Sequence, residues 1–216
     1  MLEKMDVFFE NRLSDYDAHM LTSIEGAEEF YKFTAAALPL AEHCKVLDLG
    51  CGTGLELEQY FVLNPTAQIT GIDLSKGMLA ALKHKFSDKQ LCLIYGSYFD
   101  VPLGSEDFHA AVSVESLHHF PAEQKLSLYG KLHKSLKTGG YFILTDYFAE
   151  SEELEREYFE NLRQLKSEQG IMDDYFYHYD TPLTIEHEMQ VLKAAGFARA
   201  EILHNWGATY TVKAVK

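Results

Sequence analysis

Residues 46–55 read VLDLGCGTGL, in which four strand-forming residues precede three glycines at alternate positions. A segment of helical pattern follows at about 55–63, so the stretch predicts a strand, a tight turn and a helix. Glycine suits such a turn because it has no Cβ and lets a ligand approach the backbone closely. The dinucleotide fingerprint G-x-G-x-x-G places its third glycine one residue later than Gly54. The turn therefore predicts a ligand site without naming the ligand.

Strand-like and helical segments alternate from about residue 45 to residue 148, which predicts a parallel sheet with crossover helices. The expected core strands are 45–49, 68–73, 91–95, 108–114 and 140–146. The expected crossover helices are about 55–63, 75–86 and 121–136. We therefore expect an α/β fold with a Rossmann-like, seven-stranded, mostly parallel sheet that has helices on both faces and an antiparallel C-terminal strand.

Further elements are expected on both sides of this core. A helical pattern over 25–38 stops at Pro39, because proline cannot continue a helix interior. An amphipathic helix spans 151–170, and Thr184 is an expected N-cap of a helix that Gly196 closes. The chain then ends in a strand pair, 197–204 and 208–215. We predict a single domain, 1–216, with an N-terminal segment 1–40 at the mouth of the site and a helical lid-like insertion 148–183.

Composition narrows the classes of function. The 216 residues carry a formal net charge of -14, which disfavours a nucleic-acid partner because phosphates are repelled. No apolar run approaches the roughly 20 residues that span a bilayer, and the first residues lack the pattern of a signal peptide. The three cysteines share no metal-type spacing. A cytoplasmic protein without a membrane partner is the expectation, and the oligomeric state is left open.

Asp73 strengthens the prediction of a ligand site at the glycine turn. It ends the next strand of the expected sheet, where a carboxylate can accept both hydroxyls of a ribose. The chain has no G-x-x-x-x-G-K-[ST] motif, which argues against a nucleotide triphosphate site of the P-loop kind. These residues therefore indicate a ligand that contains a ribose but no triphosphate.

Residues 45–146 resemble the class I S-adenosylmethionine-dependent methyltransferases. The resemblance rests on VLDLGCGTG, GIDLSKGML, IYGSYFDVP, FHAAVSVESLHHF and LKTGGYFILTD, which follow one another in the family's order. It implies S-adenosyl-L-methionine as cofactor and S-adenosyl-L-homocysteine as product. The positions to which it assigns cofactor binding are Tyr16, Asp48, Gly50, Cys51, Gly52, Gly54, Asp73, Leu74, Met78, Ser97, Tyr98, Phe99, Glu115 and Ser116.

The resemblance also implies a role for each group of these residues. Asp48 and the glycine turn would hold the methionine portion, and Asp73 would bind the ribose hydroxyls. Leu74 and Met78 would pack on the adenine, and residues 97–99 would form its pocket. Glu115 and Ser116 would line the sulfonium, while Tyr16 would close over the cofactor. Alternatively, the N-terminal segment that contains Tyr16 would form a helix that only packs against the edge of the domain.

Methyl transfer needs a general base only if the nucleophile must lose a proton. The candidate bases at the predicted mouth are His119, Asp146 and His178. His118 and His119 end a strand, where open α/β sheets place ligands, although two histidines there can also satisfy local backbone groups. No metal site is expected, since no third ligand has helpful spacing from this pair.

Residues 173–180, read DDYFYHYD, interleave aromatic side chains with acids. We expect this stretch to lie over the methyl-donor pocket as a lid and to select a neutral or cationic acceptor, because aromatic faces and carboxylates favour a cation. The leading hypothesis is thus a methyltransferase that acts on a small molecule. An RNA-modifying methyltransferase and a non-catalytic cofactor-binding module are the alternatives. The acidic charge argues against the first alternative, and the intact glycines and Asp73 argue against the second.

Overall fold

The computed structural model describes residues 1–173 and 175–216. They contain a seven-stranded sheet in the order β3-β2-β1-β4-β5-β7-β6. The strands are β1 Lys45–Leu49, β2 Gln68–Asp73, β3 Gln90–Tyr95, β4 Phe108–Val114, β5 Leu136–Tyr147, β6 Arg199–Trp206 and β7 Thr209–Val215. The first five strands are parallel, and β7 pairs antiparallel with both β5 and β6. The predicted fold class is confirmed.

Eight helices surround the sheet in the described ranges. They are α1 Met5–Arg12, α2 Tyr16–Ser23, α3 Ala27–Ala37, α4 Leu55–Leu63, α5 Lys76–Lys85, α6 Ala122–Ser135, α7 Glu152–Glu168 and α8 Ile185–Ala194. The expected N-cap at Thr184 forms, since Thr184 accepts from the N–H of His187. Ser151 caps α7 in the same way by accepting from the N–H of Leu154. Within these ranges, no helix combines the length and apolar character needed to cross a membrane.

Two apolar cores cover opposite faces of the sheet. β1 shows why, because its side chains alternate in direction: Leu47 and Leu49 join one core and Val46 joins the other. All three are almost completely buried, as expected for a central strand of a sheet covered on both faces. The sheet order reverses direction on either side of β1, between β2 and β4, so the carboxyl ends of these strands border the crevice where open α/β sheets bind ligands.

The start of β5 differs from the sequence-based expectation. The strand begins at Leu136 rather than Gly140, and its register against β4 shifts between Phe108 and Ala110. Gly139, with φ of +76°, lies within this irregular part. The sequence did not reveal residues 136–139 as part of the strand. They follow the helical pattern of α6 directly, and the alternation of apolar and polar residues typical of a strand is interrupted there.

The N-terminal segment and the segment after α7 meet over the sheet edge. The N–H of Met5 donates to the carbonyl of Phe176, and the N–H of His178 donates to the carbonyl of Glu3, each at 2.9 Å. The part of the expected lid at Asp174 lies outside the described residues. The division of the chain into an N-terminal segment 1–40, a core and an insertion 148–183 stays a prediction.

Candidate functional site

The glycine turn after β1 brings the backbone against neighbouring side chains. Gly50 has φ of +73°, and a Cβ added there would lie 2.1 Å from Ser116 Oγ. The N–H groups of Gly50 and Cys51 both donate to the carbonyl of Ile72, which fixes the turn against the end of β2. A side chain at position 50 would therefore be strained by its backbone conformation and would also collide with Ser116.

Asp73 lies at the end of β2 and faces the same turn. Its Oδ2 accepts from the N–H of Gly52 at 2.9 Å, and its Oδ1 accepts from that of Ser75 at 2.8 Å. Burial raises the pKa of this carboxyl, although the backbone N–H donors partly oppose that effect. Each carboxylate oxygen keeps a second lone pair, so the group can still accept from a ligand hydroxyl.

A small cavity of about 40 Å³ brings most of the predicted cofactor residues together. At its inner end, the hydroxyl of Tyr98 lies 3.2 Å from Ser116 Oγ. The residues lining this cavity are Met5, Phe9, Tyr16, Gly50, Gly52, Asp73, Leu74, Met78, Tyr98, Glu115 and Ser116. We call it the inner cavity.

Among the described residues, five of the predicted cofactor contacts lie outside that lining. Asp48 is buried behind the turn, where burial and the nearby Glu56 raise its pKa well above the usual range. The Cys51 side chain is buried in the core. Its Sγ packs so closely on Gly71 that a Cβ added to this glycine would lie 2.7 Å from the sulfur. The other three are Gly54, Ser97 and Phe99.

Two of these three have a clear structural role. Gly54 packs the start of α4 closely against Phe86, since an added Cβ would lie 3.0 Å from that ring. Ser97 Oγ accepts from the N–H of Phe99 at 3.1 Å and so shapes the loop after β3. Their assignment to cofactor binding stays a prediction.

A larger cavity of about 690 Å³ adjoins the inner cavity. We call it the outer cavity. The two share Phe9, Tyr16 and Glu115 in their linings, so Tyr16 stands between them. The outer cavity is also lined by Phe8, Arg12, Asp15, His19, Met20, Ile24, His118, His119, Tyr147, His178, Asp180 and Thr209. Its size and mixed lining are those of a small-molecule site.

A cluster of histidines and carboxylates forms one wall of the outer cavity. The Nδ1 atom of His118 lies 2.6 Å from Asp146 Oδ1, and its Nε2 atom lies 3.5 Å from Asp180 Oδ1. The Nδ1 atom of His119 lies 3.3 Å from the same oxygen of Asp180. The His178 ring centre lies 4.9 Å from that of His119. All three predicted base candidates, His119, Asp146 and His178, thus belong to one cluster.

The three histidines of this cluster differ in their protonation state. Burial alone would lower the pKa of His118, but Asp146 and Asp180 raise it to about 10. Burial and the neighbouring His118 lower the pKa of His119, and burial together with His119 lowers that of His178 to about 4. At neutral pH His118 is therefore a cation bound to Asp146, and the other two rings are neutral.

Glu115 adds a protonatable group at the boundary of the two cavities. Burial and the charge of Asp146 raise its pKa to about 8. Its Oε1 accepts from the Thr209 hydroxyl at 3.3 Å, and its backbone has φ of +48°, an uncommon value for a residue with a side chain. The strained backbone holds the carboxyl between the inner and outer cavities.

The aromatic segment 175–180 divides between two sides. His178 faces the outer cavity, where it stacks on Phe8 with ring centres 3.5 Å apart. Tyr175 and Tyr177 line a separate cavity of about 250 Å³ against α7. The contact of this segment with the outer cavity thus comes from His178 and Asp180 rather than from those tyrosines.

Comparison with known proteins identifies the fold family. Residues 46–140 match the family model described as "Methyltransferase domain". Residues 46–140 thus belong to this methyltransferase domain family. The chain is 29% identical over 160 residues to the biotin biosynthesis bifunctional protein BioHC of Teredinibacter turnerae, and the match covers 70% of the chain and 26% of that protein.

Other relatives support the same assignment. The chain is 28% identical over 171 residues to sterol 24-C-methyltransferase ERG6B of Gibberella zeae, and the match covers 74% of the chain and 40% of that protein. The chain thus spans less than half the length of these two relatives. Its fold resembles that of human N-acetylserotonin methyltransferase in complex with S-adenosylmethionine, with a TM-score of 0.67 and 19% identity over 96% of the chain and 56% of that protein.

The residues of the inner cavity fit the family's cofactor on three observations. The Cβ-free backbone at Gly52 leaves room for a close ligand, and Asp73 offers a carboxylate to ribose hydroxyls. Leu74 and Met78 provide an apolar surface for a base. S-adenosylmethionine is therefore chemically compatible with this lining.

Sequence reasoning missed Tyr147 as part of the site, and it placed Asp180 in the expected lid without predicting its contact with the histidines. Both line the outer cavity, and Asp180 faces His118 and His119. Asp180 ends the aromatic and acidic stretch 173–180, but the sequence does not indicate which side chains of that stretch face the cavity. Tyr147 ends β5, so its position at the carboxyl edge of the sheet was the available indication.

Proposed function

We propose that the chain catalyses S-adenosylmethionine-dependent methyl transfer to a small-molecule acceptor. The observation that carries the proposal is the pair of adjoining cavities, which share Phe9, Tyr16 and Glu115. The inner cavity is lined by most of the predicted cofactor residues, and the outer cavity has room for an acceptor. The boundary residues would then lie where the methyl group passes from donor to acceptor.

The cofactor supplies a methyl group activated by its bond to a positively charged sulfur. The protein has to bind, align and dry the reactants. We assign Asp73 to the ribose, Leu74 and Met78 to the adenine, and the backbone of Gly50 and Gly52 to the methionine portion. We assign to Tyr16 the exclusion of water from the boundary between the cavities. Its ring packs over the turn, since a Cβ added to Gly52 would lie 3.8 Å from Tyr16 Cε1.

An acceptor that must lose a proton would find a neutral ring in the outer cavity. His119 and His178 both have lowered pKa values, so each has a free ring nitrogen at neutral pH. Asp146 is buried and bound to His118 and to the N–H of Leu117. We therefore assign Asp146 to positioning of His118 and keep His119 and His178 as the base candidates.

The lining of the outer cavity favours a neutral or cationic acceptor. Asp15, Glu115 and Asp180 contribute carboxyl groups, while Phe8 and Tyr147 contribute aromatic surface. Arg12 lies above the Phe8 ring at 3.7 Å from its centre, so part of that cation's field is directed to the aromatic face. With Glu115 protonated at neutral pH, Asp15 and Asp180 balance the cations Arg12 and His118, so the aromatic faces rather than a net charge favour a neutral or cationic acceptor.

Two measurements test the proposal in order. Isothermal titration of the purified protein should show one S-adenosylhomocysteine site per chain and little response to NAD. Protein incubated with methyl-labelled cofactor should then transfer label into the low-mass fraction of a cell extract. Preference for NAD would contradict the cofactor assignment, whereas label that enters only the RNA fraction would contradict the small-molecule acceptor.

A further inference from the structure

We propose that His118, His119 and Asp180 form a binding site for a divalent transition-metal ion in the wall of the outer cavity. The two histidines follow β4, and Asp180 lies on the segment between α7 and α8. One potential ligand atom from each residue lies within 4.8 Å of the other two. The three side chains thus meet from two parts of the chain that are far apart in sequence.

The distances agree with the size of a metal site. His118 Nε2 and His119 Nδ1 lie 3.5 and 3.3 Å from Asp180 Oδ1. A tetrahedral ion with bonds of about 2.0–2.1 Å holds its ligand atoms about 3.3–3.4 Å apart. Good N–H···O hydrogen bonds are shorter, at about 2.7–3.2 Å, so these separations suit a shared ion better than direct bonding.

Asp146 gives His118 the support that metal-binding histidines have. It lies 2.6 Å from Nδ1, on the opposite side of the ring from Nε2. An ion would displace the proton that His118 holds on Nε2 at neutral pH, and the carboxylate on Nδ1 would then fix the tautomer whose Nε2 lone pair faces the ion. Asp146 is itself held by the N–H groups of Leu117 and Tyr147, so the ring is oriented by a rigid backbone.

The surroundings also supply the negative charge that a cation needs. Asp146 and Asp180 are the carboxylates in contact with the two histidines. Glu115, whose pKa is raised to about 8, forms a second group of neighbouring ligand atoms with His118 and Asp146. His118 and His119 are each 8% exposed, whereas the Asp180 side chain is 48% exposed. The two rings are therefore fixed in the fold, and the third ligand can close over an ion that enters from the cavity.

Binding would change the proton arrangement at His119. Its Nδ1 atom lies 3.2 Å from the carbonyl of Tyr179, to which an Nδ1–H group can donate. An ion at Asp180 would require the tautomer that carries its proton on Nε2, so that Nδ1 offers a lone pair. The ion would replace this local hydrogen bond with a link between the end of β4 and the 175–180 segment.

Two imidazoles and one carboxylate favour Zn²⁺ or Fe²⁺ over Mg²⁺ or Ca²⁺, which prefer oxygen ligands. Three protein ligands leave at least one coordination position free. That position would face the outer cavity, since all three residues line it. A water molecule, or an oxygen or nitrogen atom of an acceptor, would be the class of ligand that occupies it.

The primary test is metal content. Chelator-treated protein is loaded with Zn²⁺, dialysed against metal-free buffer and analysed for bound zinc. The parent should retain one ion per chain, and His119→Asn and Asp180→Asn should lose it. His84→Asn, an exposed histidine away from the cavity, and Asp173→Asn, an acid on the same segment, are the matched controls and should retain it.

S-adenosylhomocysteine titration of each variant separates loss of the ion from loss of the fold, because Asp73 and the glycine turn are unchanged. Affinity within a few-fold of the parent is expected. A parent that retains no zinc, or site variants that retain as much zinc as the controls, would overturn the proposal. Metal binding can fail in this way while methyl transfer still stands.

A gain of signal covers the case in which the asparagine variants fold poorly. Asp180→Cys changes a half-exposed side chain and places a thiolate where the carboxylate lay. Loaded with Co²⁺, this variant should show a near-ultraviolet sulfur-to-cobalt charge-transfer band that the Co²⁺-loaded parent lacks. Cobalt bound without that band would show that position 180 is not a ligand.

Discussion

The carboxylate of Asp73 accepts a hydrogen bond from the N–H of Gly52 at 2.9 Å, so the end of β2 is tied to the turn that follows β1. The same carboxylate lines the inner cavity beside Leu74 and Met78. One side chain thus stabilises the turn and presents an acceptor to the cavity. Its two roles can be separated by choosing the substitution.

Asp73→Ala should weaken S-adenosylhomocysteine binding by about 1.5–3 kcal/mol, the value of hydrogen bonds to a charged group. That corresponds to an increase in dissociation constant of roughly 10- to 150-fold. Asp73→Asn loses the charge and keeps one acceptor oxygen, which can serve Gly52 or Ser75 but not both. It should therefore show a smaller loss of affinity and a smaller change in melting temperature than Asp73→Ala. Isothermal titration and thermal unfolding measure the two effects. Affinity equal to the parent in a folded Asp73→Ala variant would remove this residue from the ribose site.

Gly50→Ala should destabilise the protein because the left-handed backbone alone costs an L-residue about 1–2 kcal/mol. The added Cβ would also meet Ser116 Oγ at 2.1 Å, which increases the loss. Gly130→Ala is the matched control, since this helical glycine has no heavy atom within 4 Å of an added Cβ among the described residues. The control should gain about 0.5–1 kcal/mol. Urea unfolding that shows similar effects for both variants would contradict this description of the turn.

The sequence predicts this part of the molecule well because its information is local. The strand before Gly50, the turn itself and Asp73 at the end of the next strand can each be recognised within a few residues, and the structure places them around one cavity. The parallel order of the first five strands follows from the alternation of strands and helices. Residues Tyr98 and Ser116 share that cavity as well, consistent with their order along the chain.

The cluster of His118, His119 and Asp180 could not be predicted in the same way. Tyr179, which accepts from His119, lies 60 positions further along the chain, and α6, β5 and α7 intervene. The path of the segment after α7 depends on its pairing with Glu3 and Met5 at the other end of the molecule. Periodicity describes which face of an element is apolar, but it does not describe how two irregular segments meet.

The charge of His118 should make stability depend on pH. The folded protein holds a proton on this ring up to about pH 10, whereas an unperturbed histidine releases it near 6.5. The stabilisation is therefore complete below pH 6.5 and is lost as the pH rises from 6.5 to 10. Melting temperatures in metal-free buffer should show the parent above His118→Gln at pH 6.5, with a difference that narrows toward pH 10. A difference that stays constant over this range would show that the proton is not the cause.

His178 should produce the opposite dependence in the acidic range. Its pKa is lowered to about 4, so protons bind the unfolded chain before they bind this ring in the folded protein. The resulting loss of stability begins as the pH falls below 6.5 and is complete below about 4. Compared with the parent, His178→Gln should lose less stability between pH 6.5 and 4. The exposed His84→Gln serves as the control and should follow the parent.

The stack of Phe8 on His178 should couple the opening of α1 to that of the 175–180 segment. The ring centres are 3.5 Å apart, and the backbone bonds of Met5 to Phe176 and of His178 to Glu3 lie beside the stack. Opening that separates the two segments must break these contacts together, because all of them join residues 3–8 to residues 176–178. Phe8→Ala should therefore increase amide hydrogen exchange at Met5 and at His178 by similar factors, while exchange in β1 and β4 stays unchanged.

Val7→Ala is the matched control for this coupling. Val7 lies next to Phe8 on α1 but is 43% exposed, so its truncation removes little packing. Exchange at Met5 and His178 should then remain close to that of the parent. If Phe8→Ala accelerated exchange at Met5 alone, the two segments would open independently. The 175–180 segment would in that case be held by its own contacts with the histidine cluster, and Asp180 rather than Phe8 would be the residue that keeps the outer cavity covered.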